Sequence, residues 1–197
     1  MTSPAPEPGT TIVLGLGNPV RYDDAVGLRV AEAVERLLAA EPLPGVSVAT
    51  STRAGLELID LLSGAARAVI VDCLALPAPV PGRVSRLTLD DVAGSARLVG
   101  AHDVTVATAF KFAHASGVPM PDTVDIYAIE AADIDRIGEG LSPAVASAVD
   151  EVAREIHCRL AARSPASAPR CNLSSGDLQN ASPDIFQGPE RDDTSNP

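Results

Sequence analysis

One segment, residues 11–17, constrains the fold of this chain more than any other. It reads TIVLGLG, with aliphatic residues at neighbouring rather than alternate positions, which is typical of a strand buried on both faces. Asn18 and Pro19 follow at once and indicate a turn. Apolar residues then recur at helical spacing from Val26 to Leu38. A buried strand followed by an amphipathic helix predicts the first unit of a parallel α/β sheet.

The same alternation continues to the last predicted helix. Further strands are predicted at 46–50, 68–73, 84–89 and 123–129, and further helices at 54–62, 103–115 and 143–160. Three prolines and a glycine make 75–82 a loop. Five strands interspersed with helices predict one α/β domain, with a twisted, mostly parallel sheet and helices on both faces.

The two ends of the chain differ in composition from its centre. Residues 164–197 are rich in Ser, Pro, Asp and Asn, and their apolar residues are isolated and without period. Such a segment cannot bury enough apolar surface to fold. We therefore predict a flexible leader at 1–9, one α/β domain at 10–163 and a disordered acidic tail at 164–197.

Charge and hydropathy narrow the class of function. The net charge of -11 argues against a nucleic-acid partner, because binding to phosphates depends on clustered Lys and Arg. No apolar run approaches the length of a membrane span, and the N-terminus lacks the pattern of a secretion signal. Three cysteines without metal-ligand spacing fit a reducing compartment. We expect a cytoplasmic monomer with no membrane insertion.

Polar residues lie where the predicted strands end. Asp24 lies in the loop after the first strand, Asp72 is near the end of the strand at 68–73, and His102 precedes the helix at 103–115. Ligands of open α/β sheets bind at the carboxyl ends of the strands, so these side chains are expected to converge. Two carboxylates and an imidazole are suitable ligands for a divalent transition metal.

Each of these residues also has a structural alternative. Either Asp23 or Asp24 is suited to cap the helix that follows. Asp72 alternatively accepts a bond from the turn after its strand, although a carboxylate in so apolar a run is costly unless it is paired or ligating. His102 is alternatively an ordinary loop histidine.

Other residues with reactive or ligating side chains are weaker candidates for a functional site. His114 and His157 lie within predicted helices, where structural or solvated roles are expected. Cys73 is a nucleophile by type, but its apolar neighbours favour a buried structural thiol. The glycines of the first βα unit do not complete a dinucleotide fingerprint, because Val20 stands where the third glycine is required. Gly17 is instead expected to permit the turn, and Gly27 to allow close packing of helix on sheet.

The stretch 15–27, GLGNPVRYDDAVG, resembles the signature of the hydrogenase maturation endopeptidases. Shorter matches follow in the family's order: AGLEL at 54–58, VIVD at 69–72 and AHD at 101–103. The resemblance runs from about residue 11 to residue 160. It implies an α/β endopeptidase that removes the C-terminal extension of a nickel–iron hydrogenase large-subunit precursor after nickel insertion.

The resemblance also implies roles by position. Asp24, Asp72 and His102 would contact nickel that the substrate carries, with Asp24 and Asp72 as the catalytic groups and no permanent metal expected. Substrate contacts are implied for Asn18, Asp23, Arg53 and Gly55. Either nickel or an aspartate would activate the attacking water. The family often has Asp-Gly-Gly-Thr-x-Gly where this chain has TSTRAG at 50–55, which leaves open which hydrogenase is recognised.

Two rival interpretations remain at the level of sequence. The turn at 15–22 is similar to that of peptidyl-tRNA hydrolase, but that enzyme needs a His-Asn pair shortly after the tyrosine, where this chain has Asp23-Asp24-Ala25. It also needs a basic surface for tRNA. A non-enzymatic nickel chaperone that uses the same ligands is the other alternative, and release of a C-terminal peptide would distinguish the two.

Overall fold

The computed structural model describes residues 10–53, 55–93 and 106–163. These residues form a five-stranded sheet covered by helices on both faces, which confirms the predicted fold class. The predicted leader and tail lie outside the described residues, and so does His102.

Among the described residues, the predicted strands and helices occur in the predicted order, together with one further α-helix and one short 3-10 helix. The strands are β1 (Thr11–Leu16), β2 (Val46–Ser51), β3 (Arg67–Leu74), β4 (Val84–Leu87) and β5 (Thr123–Glu130). The helices are α1 (Val26–Ala40), α2 (Glu57–Leu62), α3 (Leu89–Ala93), α4 (Val106–Ala115) and α5 (Pro143–Ala161). A short 3-10 helix, Tyr22–Ala25, leads into α1.

The order of strands across the sheet is β2-β1-β3-β5-β4. The first four are parallel, and β4 pairs antiparallel with β5 at the edge. From β1 the chain moves outward to β2, and from β2 it returns to β3 on the opposite side of β1. The direction of winding therefore reverses between β1 and β3, and such a switch point opens a crevice at the carboxyl ends of the two strands.

Both faces of the central strands are buried, which explains their unbroken apolar runs. Val13 of β1 and Val69 of β3 belong to the core beneath α1 and α5. Leu14 of β1 and Ile70 of β3 belong to the second core, beneath α2 and α4. Asp72 is two residues after Ile70 in β3, so its side chain lies on the same face of the sheet, the face that α2 and α4 cover.

Two predicted elements differ from the structure. The strand predicted at 84–89 ends at Leu87, and Leu89 begins helix α3 instead. The reason is a capping box, in which the N–H and hydroxyl of Thr88 donate to Asp91 Oδ2, each at 2.7 Å. The helix predicted at 54–62 begins only at Glu57. None of the helices among the described residues has the length and apolarity needed to cross a membrane.

Candidate active site

The loop after β1 folds back over the end of its own strand. The N–H of Asn18 donates to the backbone carbonyl of Asp24 at 3.2 Å, which closes the loop. Asn18 Oδ1 accepts the N–H of Val20 at 3.1 Å, so its side chain also shapes the turn. Gly17 has a φ of +150°, and a Cβ there would lie 2.0 Å from the Asp24 carbonyl oxygen. Only glycine fits at this position, as the sequence predicts.

Helix α1 starts directly on the sheet because Gly27 has no side chain. A Cβ at Gly27 would lie 2.2 Å from the carbonyl oxygen of Leu16 and 2.4 Å from that of Val71. These two carbonyls belong to β1 and β3, the strands that flank the switch point. The prediction that Gly27 allows close helix–sheet packing is confirmed. The close approach holds the residues just before α1, including Asp24, over the crevice.

Asp23 is fully buried and makes three hydrogen bonds to the backbone of a distant loop. Its Oδ2 accepts the N–H groups of Ala132 at 2.9 Å and Asp133 at 3.1 Å. Its Oδ1 accepts the N–H of Ser142 at 2.6 Å. These three donors lie in the loop 131–142, between β5 and α5. Asp23 therefore joins that loop to the one that carries Asp24, and in this conformation it offers no surface for the substrate contact implied by the resemblance.

We expect Asp23→Ala to destabilise the fold by about 3 kcal/mol, because three backbone donors lose a charged acceptor. Urea unfolding of the purified variant measures the change. Asp135→Ala is the matched control: Asp135 lies in the same loop, its side chain is 95% exposed, and its ion pair with Arg21 is a long one of 3.8 Å. Equal stability of the two variants would contradict this role of Asp23.

Asp24 is buried at the switch point, and it does not cap α1. The residue at the cap position is Ala25, so the structural alternative considered for Asp23 and Asp24 is wrong. Asp24 is near enough to Asp72 for its negative charge to act on the neighbouring carboxyl group. The structure thus brings together two of the three predicted metal ligands.

Asp72 lies near the end of β3, where its Oδ1 accepts the N–H of Cys73 at 2.8 Å. Burial raises the pKa of Asp72 to about 7, the Cys73 N–H opposes the rise, and the charge of Asp24 adds to it. A pair of carboxylates in this state holds a proton near neutral pH. A cation that displaces this proton stabilises the two negative charges. The arrangement suits either acid–base chemistry or contact with a divalent cation.

His102, the third predicted ligand, lies outside the described residues, and its position stays a prediction. The orientation of α4 shows toward which edge of the sheet its N-terminal end is directed. Behind the C-terminal end of α4, the carbonyl of Pro119 accepts the N–H of Gly64, and the N–H of Asp122 donates to the carbonyl of Ala66. Gly64 and Ala66 immediately precede β3, so this end of α4 lies at the amino edge of the sheet. The other end, at Val106, is directed toward the carboxyl edge, where the acids lie.

The other two histidines lie within helices α4 and α5, as predicted. His114 is exposed and lines a groove at the amino edge of the sheet. The ring of His157 is buried, with Nε2 3.0 Å from the carbonyl oxygen of Glu41. Among the described residues, no group of three His, Cys, Asp or Glu side chains is arranged to hold a metal ion.

Cys73 is a buried thiol beside Asp72. Burial raises its pKa far above the ordinary value, and the carboxylates of Asp72, Asp24 and Asp23 raise it further. A thiol in this environment stays protonated at neutral pH and is a poor nucleophile. The structural role predicted for Cys73 is the one that the structure supports.

Arg53 and Gly55 lie in the loop after β2, at the same edge of the sheet. The Arg53 side chain is 74% exposed and pairs with Glu57 at 2.7 Å. Gly55 has a φ of +95°, and its carbonyl accepts the N–H of Leu58 at the start of α2. The predicted substrate contacts of Arg53 and Gly55 remain predictions.

This geometry can be compared with known proteins. The sequence model of the hydrogenase maturation protease family matches residues 11–158. The chain belongs to the hydrogenase maturation protease family. It is therefore a processing endopeptidase, a hydrolase that acts in hydrogenase maturation. No match was found among the curated proteins.

Solved structures of the family share the fold. The chain is 22% identical to the hydrogenase maturating endopeptidase HybD from E. coli, with a TM-score of 0.62 over 75% of this chain and 89% of that one. It is 25% identical to the [NiFe] hydrogenase maturation protease HybD from Thermococcus kodakarensis, with a TM-score of 0.59 over 77% of this chain and 98% of that one. It is also similar to HycI from the same organism, at 19% identity and a TM-score of 0.56 over 75% of this chain and 90% of that one.

Proposed function

We propose that this protease removes the C-terminal extension of a nickel–iron hydrogenase large-subunit precursor, in the cytoplasm, after nickel has been inserted. The substrate carries the nickel, and Asp24, Asp72 and His102 contact it. The observation that supports the proposal is that two carboxylates, buried Asp24 and partly buried Asp72, lie at the switch point of the sheet, where the charge of Asp24 acts on Asp72. Family membership supplies the reaction class, and two of the similar structures are [NiFe] hydrogenase maturation proteases by their own descriptions.

The electrostatics of Asp24 and Asp72, which we call the acid pair, favour the binding of a cation that arrives with the substrate. With no cation present, the raised pKa of Asp72 keeps part of the pair protonated near pH 7. A divalent ion between Asp24 and Asp72 offsets their repulsion and favours the doubly ionised state. A precursor without nickel lacks this attraction, so nickel serves as a check on assembly of the substrate.

Two routes to hydrolysis use the same residues. In one, Asp24 and Asp72 hold the nickel so that it polarises the scissile carbonyl or a water molecule. In the other, one of the two aspartates takes the proton from the attacking water. In both routes the water oxygen bonds to the peptide carbon, the C–N bond breaks, and the amine leaving group receives a proton. Both need at least one aspartate ionised.

The loops around the acid pair supply candidates for contact with the peptide. Arg53 is exposed, and its surface ion pair with Glu57 is of the kind that exchanges at little cost. We propose that Arg53, Gly55 and Asn18 contact the precursor. Asp23, whose carboxylate is buried, acts on the substrate through the loop 131–142 that it holds.

The proposal predicts cleavage that depends on nickel in the precursor. Incubation of the full chain with nickel-loaded precursor should release the C-terminal peptide, and nickel-free precursor should stay intact. Mass spectrometry of the products measures both. Asp24→Asn and His102→Ala should each lower the rate by a factor on the order of 100 or more, because each loses a group that acts at the reacting atoms.

The controls separate this function from its alternatives. His114→Ala removes a histidine at the opposite edge of the sheet and should leave the rate unchanged. Binding of nickel-loaded precursor without release of a peptide would favour a chaperone. Equal cleavage of loaded and nickel-free precursor would refute the role of nickel while leaving the protease assignment intact.

A further inference from the structure

Most of the exposed large apolar side chains among the described residues lie at the carboxyl edge of the sheet. Among the described residues, five large apolar side chains are exposed. Four of them lie in loops at the carboxyl edge of the sheet: Val20 after β1, Leu56 after β2, Val80 after β3 and Ile137 after β5. The fifth, Phe112, is on helix α4. This edge of the sheet also holds Asp24 and Asp72.

Two of these side chains are held together by the backbone. The N–H of Gly138 donates to the carbonyl of Val20 at 3.0 Å, and the N–H of Tyr22 donates to the carbonyl of Gly138 at 3.1 Å. Ile137 precedes Gly138, so the two loops present Val20 and Ile137 as neighbours. We call this pair the Val20–Ile137 ridge. Val20 is 51% exposed and Ile137 77% exposed.

The side chains of the ridge face solvent, but the two loops that carry them are held in place by other contacts. Arg136 stacks on the ring of Tyr22, with its Cζ 4.3 Å from the ring centroid. The loop that carries Ile137 is anchored by its three backbone bonds to buried Asp23. The backbone bonds and the stack hold the two loops without help from the apolar side chains. The fold therefore does not require large aliphatic residues at these two positions, which leaves both side chains available for contact with an apolar ligand.

The ridge is close to the reacting groups. Val20 and Asp24 belong to one loop, four residues apart, so their Cα atoms are separated by at most about 14 Å. The loop is shorter than that, because the Asn18 N–H bonds the Asp24 carbonyl. An extended peptide covers about 14 Å in roughly four residues. The ridge is therefore within reach of a peptide cleaved at Asp24 and Asp72, at a distance of about four extended residues from the scissile bond.

We infer that the Val20–Ile137 ridge binds an apolar side chain of the precursor, within a few residues of the cleaved bond. This inference rests on the proposed function. It assigns the ridge a part in substrate selection that is separate from nickel recognition. The acids contact the metal, and the ridge binds apolar residues of the precursor near the cleaved bond. Polar substitution of the ridge weakens substrate binding and leaves the chemical step intact.

The test compares Val20→Thr and Ile137→Ser with Phe112→Ser as matched control. Phe112 is 53% exposed but lies on α4, outside the carboxyl-edge loops. With nickel-loaded precursor, we expect each ridge variant to raise KM about tenfold, as loss of one buried aliphatic contact would. The value of kcat should stay within about twofold of wild type. Phe112→Ser should change neither, and thermal unfolding should report the same Tm for all variants.

Each other outcome has a defined meaning. An unchanged KM in both ridge variants overturns the inference, while wild-type cleavage still supports the proposed function. If wild type binds the loaded precursor without cleaving it, the proposed function fails, and the Kd of each variant then decides the inference alone. A wild-type dimer that dissociates in the ridge variants at unchanged KM would show that the ridge joins two copies of this chain, which also overturns it.

Discussion

Asp72→Asn should abolish cleavage of nickel-loaded precursor and at the same time make the metal-free protein more stable at pH 8. The two effects have one cause. An ionised carboxylate at this position is costly for the fold, because burial and the charge of Asp24 both disfavour it. Under the proposed function, the same ionised carboxylate acts on the substrate. The amide of the Asp72→Asn variant would keep the oxygen that accepts the Cys73 N–H but would carry no charge. We expect the rate of cleavage to fall by a factor on the order of 100 or more.

The sign of the effect on stability follows from proton linkage. The pKa of Asp72 is about 7 in the folded protein, against an ordinary value of 3.8. Between these values the folded state holds a proton that the unfolded state has lost, so the free energy of unfolding falls as pH rises from about 4 to about 7. Wild type carries this cost at pH 8, and Asp72→Asn does not. The stabilisation by Asp72→Asn should therefore grow by about 2 kcal/mol between pH 5 and pH 8.

Urea unfolding of both proteins at pH 5 and pH 8 measures the difference. Asp91→Asn is a control of opposite sign, because hydrogen bonds from Thr88 lower the pKa of Asp91, an exposed carboxyl group that caps α3. Its substitution should destabilise the protein slightly at pH 8. A stability difference for Asp72→Asn that does not change with pH would show that Asp72 titrates normally.

The second large effect is expected for Gly27→Ala. Replacement of a helical glycine by alanine ordinarily stabilises a protein by up to about 1 kcal/mol. At Gly27 the sign should reverse, because the new Cβ would lie 2.2 Å from the Leu16 carbonyl oxygen and 2.4 Å from that of Val71. Both obstacles are backbone atoms of central strands and cannot turn aside, so α1 must move off the sheet. We expect a loss of about 3 kcal/mol in the free energy of unfolding.

The same displacement should reduce cleavage, since the start of α1 positions Asp24. Gly45→Ala is the matched control: Gly45 has a φ of +76°, but nothing lies within 4 Å of the place that a Cβ would take there. It should cost about 1 kcal/mol through backbone strain and leave cleavage unchanged. Denaturant unfolding and the peptide-release assay applied to both variants measure these effects. A Gly27→Ala protein as stable and active as wild type would contradict the packing that places Asp24.

The layered α/β architecture could be predicted from the sequence alone, because the burial of each strand and helix is visible in the apolar pattern of its own segment. Strands β1 and β3 are covered on both faces, so they appear as unbroken apolar runs, and helix α1 has a stripe of apolar residues. The position of Asp72 near the end of such a run already marked it as exceptional. Gly17 and Gly27 could also be assigned, since close approach of two backbones leaves glycine as the only residue that fits.

Only the tertiary structure shows that the two adjacent acids, Asp23 and Asp24, have different surroundings. Asp23 and Asp24 are the same residue type at neighbouring positions, and only the family resemblance assigned them different roles, since the local pattern of the sequence does not distinguish them. The donors that occupy Asp23 lie 109 to 119 residues further along the chain, in a loop that only the completed sheet brings alongside. The charge of Asp24 acts on Asp72 for the same reason, because the reversal of winding between β1 and β3 places the carboxyl ends of these two strands side by side. Contacts between distant segments depend on strand order, and local patterns in a chain do not encode strand order directly.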